Sequence, residues 1–538
     1  MWMLVNANGY TLAPDGANFS ALVIDGGNIV AVGATDDIRL QYGAQVDRVY
    51  DAQGATVLPG FVDSHLHLAW LGMQMNMLDL AAATSADEVL AHVRQQASML
   101  PAGAWLLGAN WDENRFVNRR MPSLEELDRA AGGRPVMLRR VCGHVVFGNR
   151  CAYQQAGLGL RPANPSDGHF GRTPSGDIDG FAYEGAATLL ERGVPAMSGS
   201  ELERAIARAI DSALESGITG VHSEDVRHVG SLYQTMDIYR RLQAEGKRVR
   251  VHQLVGFEAL EEYREWLVEQ ENKRPTVDEL DWLEAGAVKL FADGSLGGRT
   301  AFLQQPYHDT PTTCGTAIYT QAELNQRVAD VRKFGLPVAI HAIGDGALDM
   351  VLDAMASVKA VAQRDRIIHA EVVSASLLER MTALSDRIIV DVQPRFAATD
   401  LPWVESRLGL QRMRYVCAWK SMLDAGLYLC GGSDAPVEPI QPLLGIHAAI
   451  TRQLPGTSGG GLFRNEALTP YAAVKLFTHG PSYAIHREHR KGMVRSGWMA
   501  DLTILDTDIL HPQHLDDIPR ARVLQTVVGG EIAYDRLR

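Results

Sequence analysis

The chain has 538 residues, 46% of them apolar and 21% charged, with a formal net charge of -13. That length exceeds one ordinary domain and accommodates a barrel of roughly 250 residues plus further modules. The composition is that of a globular protein without low-complexity tracts. Net negative charge gives no reason to bind polyanions, so nucleic acid is not an expected partner. No run approaches the roughly 18 apolar residues of a membrane span, and the start lacks the basic and apolar regions of a signal peptide, which makes the cytoplasm the expected compartment. Cys142, Cys151, Cys314, Cys417 and Cys430 are scattered without a C-x-x-C pair, so neither a disulfide framework nor a thiolate zinc site is indicated. Any metal falls to His, carboxylate or something less usual.

In chain order, residues 1–56 read as short strands: VNANGYTL, SALVIDGGNIVAVG with a Gly26-Gly27 turn, and QVDRVYDAQG. Residues 489–538 have the same character in DLTILDTD, ARVLQTVVGG and EIAYD, predicting one small β-sandwich built from both termini. Between them lie eight apolar runs, several ending at a chemically capable residue: TVLPGFVDSHLH, ITGVHSED, RVRVHQLVGF, AVKLFADGS, PVAIHAIGD, RIIHAE, RIIVDVQP and YLCGGSDAP. Helix-like segments such as QAELNQRVADVRKFG and SASLLERMTALS fall between the later ones. This rhythm predicts an α/β fold, a (β/α)8 TIM barrel with its first strand in residues 57–70 and its remainder in 201–488, and active-site residues at the strand C-terminal ends. Residues 71–200 are too long for a loop and carry their own runs, AWLLGANW and RPVMLRRVCGHVVF, predicting an inserted α+β subdomain over the barrel mouth.

The chemistry opens with His65 and His67. Residues i and i+2 of a strand share a face, so both imidazoles point together and can take one metal ion. Alone the spacing is a weak signal. It gains weight because His341, His369 and Asp434 also close predicted barrel strands, and N/O donors of this kind suit Zn2+ or a similar ion. Lys289 interrupts an apolar strand, where lysine is rare. It is either an ion-paired or substrate-anchoring lysine or, neutralised by burial, an amine that reacts with CO2 to form a carbamate able to bridge two ions.

The motifs LPGFVDSHLHL, RRVCGHVVFGN, GITGVHSED, VKLFADGSLGGRTA, IHAIGDGA, IIHAE, DVQPRF, GGSDAPVEP and LTPYAAVKLFTHGPSYA span essentially the whole chain. On them the chain resembles the amidohydrolase superfamily, in its amidohydrolase-3 branch, which includes N-substituted formamide deformylases. The resemblance implies that His65 and His67 bind one Zn2+ with Asp434, that His341 and His369 bind a second, and that carbamylated Lys289 bridges them; some relatives use one ion, leaving a site of His65, His67, His341 and Asp434. It implies that the metal activates water, that Asp434 moves its proton to the leaving amine, and that His144 donates to the substrate carbonyl or oxyanion. Trp111, Arg115 and Arg395 are substrate-binding candidates. Arg395 would anchor an acidic group or pair with a nearby Asp, and Trp111 would line the pocket or serve packing.

The expected activity is hydrolysis of C–N bonds in a small molecule. A lactone or ester hydrolase and a heterocycle deaminase use the same activated water and stay open. A different class, a regulatory protein on a decayed hydrolase scaffold, sits poorly with ligand positions that are all filled. The expected partners are a small-molecule substrate and, in a homodimer, a second copy of the chain.

Overall fold

The computed structural model describes residues 1–113, 116–117, 120–140, 145–165, 168–457 and 461–536. Two compact units emerge, one of Met1–Trp70 with Ile210–Arg538 and one of Leu71–Ala209. In the first, eight strands form one sheet: β1 (Phe61–Leu66), β2 (Ile218–Ser223), β3 (Arg250–Gly256), β4 (Leu283–Phe291), β5 (Val338–Ala342), β6 (Asp365–His369), β7 (Ile388–Val392) and β8 (Leu429–Gly431). They lie in chain order and every neighbouring pair is parallel. These are the eight runs singled out above.

The two ends of this sheet meet just past β1 and β8. The Asp434 N–H donates to the His65 carbonyl and the His67 N–H to the Ala435 carbonyl, each at 2.8 Å. Gly432 permits the approach, since a Cβ there would lie 2.5 Å from the His65 nitrogen. The result is a nearly closed barrel. Every residue of β1, β2, β3, β6, β7 and β8 is buried, which is why these strands read as continuous apolar runs and not as alternations. Leu254, Ala287, Ala339 and Ile368, from β3 to β6, pack as one interior layer.

Helices Leu232–Ala244, Leu260–Lys273, Gln321–Arg332, Asp345–Ala356, Ala375–Thr382 and Pro394–Leu408 follow β2 to β7 in turn. Several start on a side-chain cap: Ser231, Thr320 and Ser374 each accept from a backbone N–H of the first turn. The barrel interior is tied across by Arg366 of β6, fully buried, which pairs with Asp391 of β7 and donates to the Ser64 carbonyl and to His222 Nδ1.

The two chain termini share a six-stranded sheet in the order Glu531–Asp535, Val523–Val528, Leu502–Leu505, Thr56–Pro59, Asn8–Tyr10 and Asn18–Phe19. A four-stranded sheet contains Asn28–Gly33, Ala21–Asp25, Trp2–Val5 and Arg48–Asp51. One apolar cluster takes Leu4, Leu22 and Ile24 from the smaller sheet and Val57, Leu502, Ile504 and Val527 from the larger. The expected start of the barrel at residue 57 shifts accordingly. Thr56–Pro59 pairs antiparallel with Leu502–Leu505, and the chain enters the barrel only after Gly60. The N-terminal segment also holds a helix, Thr35–Tyr42, between its strands.

The second unit contains a six-stranded mixed sheet of Gly168–Arg172, Ile178–Glu184, Val145–Gly148, Val136–Arg140, Leu106–Trp111 and Leu78–Asp79, with helices that include Ala86–Met99 and Leu124–Ala131. Its C-terminal limit, Ala209, lies within the helix Gly199–Glu215, which begins at the expected boundary. Among the described residues no helix is long and apolar enough to cross a membrane.

Candidate metal centre

At the end of β1, His65 and His67 face the same side with ring centroids 5.3 Å apart. Asp63 fixes what lies beneath them. Its carboxylate accepts the N–H of His65 and that of Ser433, each at 3.1 Å, tying the end of β1 to the segment after β8 that carries Asp434. Asp434 Oδ1 consequently lies 3.4 Å from His65 Nε2 and 3.3 Å from His67 Nε2. Lys289 of β4, 1% exposed, brings its Nζ to 3.1 Å from His65 Nε2. His369 lies 5.9 Å from His65 between ring centroids, and His341 packs on His369 at 4.4 Å. The structure therefore gathers all six residues expected as ligands, and donor atoms of His65, His369 and Asp434 lie within 4.8 Å of one another.

Backbone carbonyls select which imidazole nitrogens face the cluster. His67 Nδ1 lies 3.1 Å from the Glu224 carbonyl and His341 Nε2 lies 3.0 Å from the Gly294 carbonyl. A carbonyl only accepts, so those two nitrogens carry a proton, and His67 Nε2 and His341 Nδ1 are the nitrogens left to serve a metal. Two of the six residues sit in the left-handed backbone region, His369 at φ 77° and Asp434 at φ 57°. Non-glycine residues seldom adopt it, and such strain concentrates at functional sites.

The electrostatics are those of a buried cation seat. Burial holds His65 and His369 well below the usual imidazole range, with neighbouring cationic groups adding to the effect. Burial opposes protonation of His67 too, but Asp434 and Glu224 outweigh it and raise the ring to about 9. Asp434 in turn is held below the usual carboxylate range, its own burial being overcome by His67 and His369. Burial lowers the Lys289 ammonium to about 8, which raises the share of free amine at pH 7 to roughly a tenth. His65 Nδ1 and both nitrogens of His369 have no hydrogen-bond partner among the described residues. Unpartnered buried nitrogens are uncommon, and with a carboxylate between them they form a donor set that suits Zn2+.

The other candidates fare differently. Trp111 is 2% exposed, gives its indole N–H to the Leu138 carbonyl at 3.1 Å and packs in the second unit's apolar core, as the packing alternative expects. Arg115 and His144 lie outside the described residues. Arg395, following β7, pairs with Glu438 at 2.9 Å, a glutamate where an aspartate was expected. Sequence reasoning missed Glu224 and His228. Both follow β2, and their donor atoms form a second group with His67, again within 4.8 Å. The pattern His222-x-Glu224 repeats the parity of His65-x-His67 and was the available signal.

A family model for the amidohydrolase family matches residues 48–534. The chain belongs to the amidohydrolase family. Relatives of this amidohydrolase include YtcJ of Bacillus subtilis (strain 168), named as an amidohydrolase, at 36% identity over 98% of each chain. The N-substituted formamide deformylase of Arthrobacter pascens is 28% identical over 99% of this chain and 98% of its own. Among solved structures, an uncharacterized metal-dependent hydrolase from Pyrococcus furiosus superposes with a TM-score of 0.76 at 29% identity, covering 95% of this chain and 100% of its own.

Proposed function

We propose that this amidohydrolase is a metal-dependent hydrolase that cleaves C–N bonds of small amides, N-substituted formamides or N-acyl compounds among them. The observation that carries the reading is the convergence of His65, His67, Lys289, His341, His369 and Asp434 on one cluster at the barrel strand ends, all of them buried but the half-buried His341. His65, His67 and Asp434 would hold one Zn2+ and His341 and His369 a second, with carbamylated Lys289 between them. When bound, the metal supplies a water acidified towards neutrality and a polarising Lewis acid for the scissile carbonyl.

The chain's own groups do the rest. The Lys289 nitrogen, as free amine, bonds to the carbon of CO2 and loses a proton, giving a carbamate whose negative charge offsets the cost of burying cations there. Asp434, held ionised and within 3.4 Å of both imidazoles, takes the proton from the attacking water at its carboxylate oxygen and returns it to the departing amine nitrogen. The carbonyls of Glu224 and Gly294 keep His67 and His341 in the required tautomers. The complete ligand set favours an active enzyme over a decayed regulatory scaffold. The apolar cluster shared by the two terminal sheets supports reading them as one sandwich.

Assays of a panel of formamides, N-acyl amino acids, lactones and aryl esters, before and after chelation, test the reading. Amide turnover that chelation abolishes and Zn2+ with bicarbonate restores is the expected result. Inertness to every amide beside strong lactone turnover would overturn the C–N assignment.

A further inference from the structure

The proposed function uses His67 through Nε2 and has only the Glu224 backbone carbonyl act on the other edge of the ring. We infer that Glu224 is a positioning residue for the metal centre, holding and polarising His67 from its Nδ1 side in a carboxylate–histidine–metal arrangement. The inference rests on reading His67 as a ligand.

One residue supplies both acceptors on that edge. His67 Nδ1 lies 3.1 Å from the Glu224 carbonyl and 3.3 Å from Glu224 Oε2, while Nε2 faces Asp434 at 3.3 Å. Glu224 is anchored to the strand that carries the histidine, since its own N–H donates to the Leu66 carbonyl at 3.0 Å. Asp225 locks the loop beside it by accepting from Ala69 N–H at 2.7 Å, Tyr239 O–H at 2.6 Å and Gln253 Nε2 at 2.8 Å. The carboxylate is 1% exposed. Among the described residues its Oε2 has no hydrogen-bond partner besides the ionic contact with His67, and Oε1 receives only a long 3.4 Å bond from the Arg227 N–H.

These two acceptors have separable effects. The carbonyl by itself fixes the tautomer. The carboxylate adds a negative charge behind the ring, which strengthens Nε2 as a donor and lowers the cost of bringing a cation into a buried site. The half-buried His228, stacked on Trp70 at 5.6 Å, raises a rival in which Glu224, His228 and His67 Nδ1 ligate an ion directly. That rival requires His67 Nδ1 to give up its proton and its bond to the carbonyl, so positioning is the better account.

The test compares the full-length wild type with E224Q and E224A for Zn2+ affinity by chelator competition, Zn2+ stoichiometry, the visible absorption of the Co2+-substituted protein and the Tm of the metal-free protein. E224Q, which keeps the carbonyl and removes the charge, is expected to weaken affinity about tenfold and E224A up to about 100-fold, with shifted cobalt bands. Stoichiometry should not fall, and a cooperative metal-free melt shows that each variant folds. E224Q is close to isosteric and carries the test should E224A fail to fold. Affinity within about twofold of wild type in both variants, or the loss of one whole Zn2+ equivalent, would overturn the inference, the latter by making Glu224 a ligand. A wild type that takes up no Zn2+ would instead sink the metal reading on which it rests.

Discussion

Asp434 sits between two imidazoles, and its role separates binding from turnover. If Asp434 handles protons as proposed and leaves substrate recognition to other groups, D434N lowers kcat by about 100- to 10,000-fold while changing KM far less; steady-state kinetics on the best amide of the panel checks this. Lys491 offers a test away from the site. It is 7% exposed, and burial, with Arg250 beside it, lowers its pKa to about 8 against an opposing pull from Asp501. The unfolded lysine titrates near 10.4, so between about pH 8 and 10 the unfolded chain binds more protons and this group's contribution to stability rises with pH. Below pH 8 the folded state bears the full penalty, at most about 3 kcal/mol. K491M should therefore raise Tm at pH 7, with the gain shrinking towards pH 10. A constant difference across that range would contradict the assignment.

The elements explain which residues were readable in advance. His65 and His67 were legible because strand parity puts i and i+2 on one face, and Lys289 because a charge inside an apolar run is conspicuous. His369 and Asp434 were legible as strand-end residues, but their aim was not, since it depends on left-handed backbone at φ 77° and 57°. Glu224 escaped notice because nothing in the run ITGVHSED tells which of its polar residues faces the ligand cluster, and His222, two residues earlier, accepts from Arg366 within the barrel. Thr56–Pro59 looked like barrel because its apolar residues continue into β1, and only pairing with a strand some 440 residues later reveals the terminal sheet. The Arg366–Asp391 pair joins β6 to β7 inside the barrel, where neither group meets water. Removing one partner strands the other charge, so D391N is expected to destabilise the chain by about 3–5 kcal/mol, read from the denaturant midpoint.

At the scale of the whole molecule, the barrel was legible from the count and rhythm of its strands. The second unit falls in the interval that is too long for a loop, and the helix Gly199–Glu215 lies across its C-terminal limit. The fold places six side chains from four separate strand ends and one loop on a single point. The most direct measurement is anomalous diffraction at the zinc edge from crystals grown with Zn2+ and bicarbonate. The account predicts two peaks flanking Lys289, one beside His65, His67 and Asp434 and one beside His341 and His369, with density for a carbamate on the lysine nitrogen. An unmodified Lys289 and no peak within bonding reach of these histidines would contradict it.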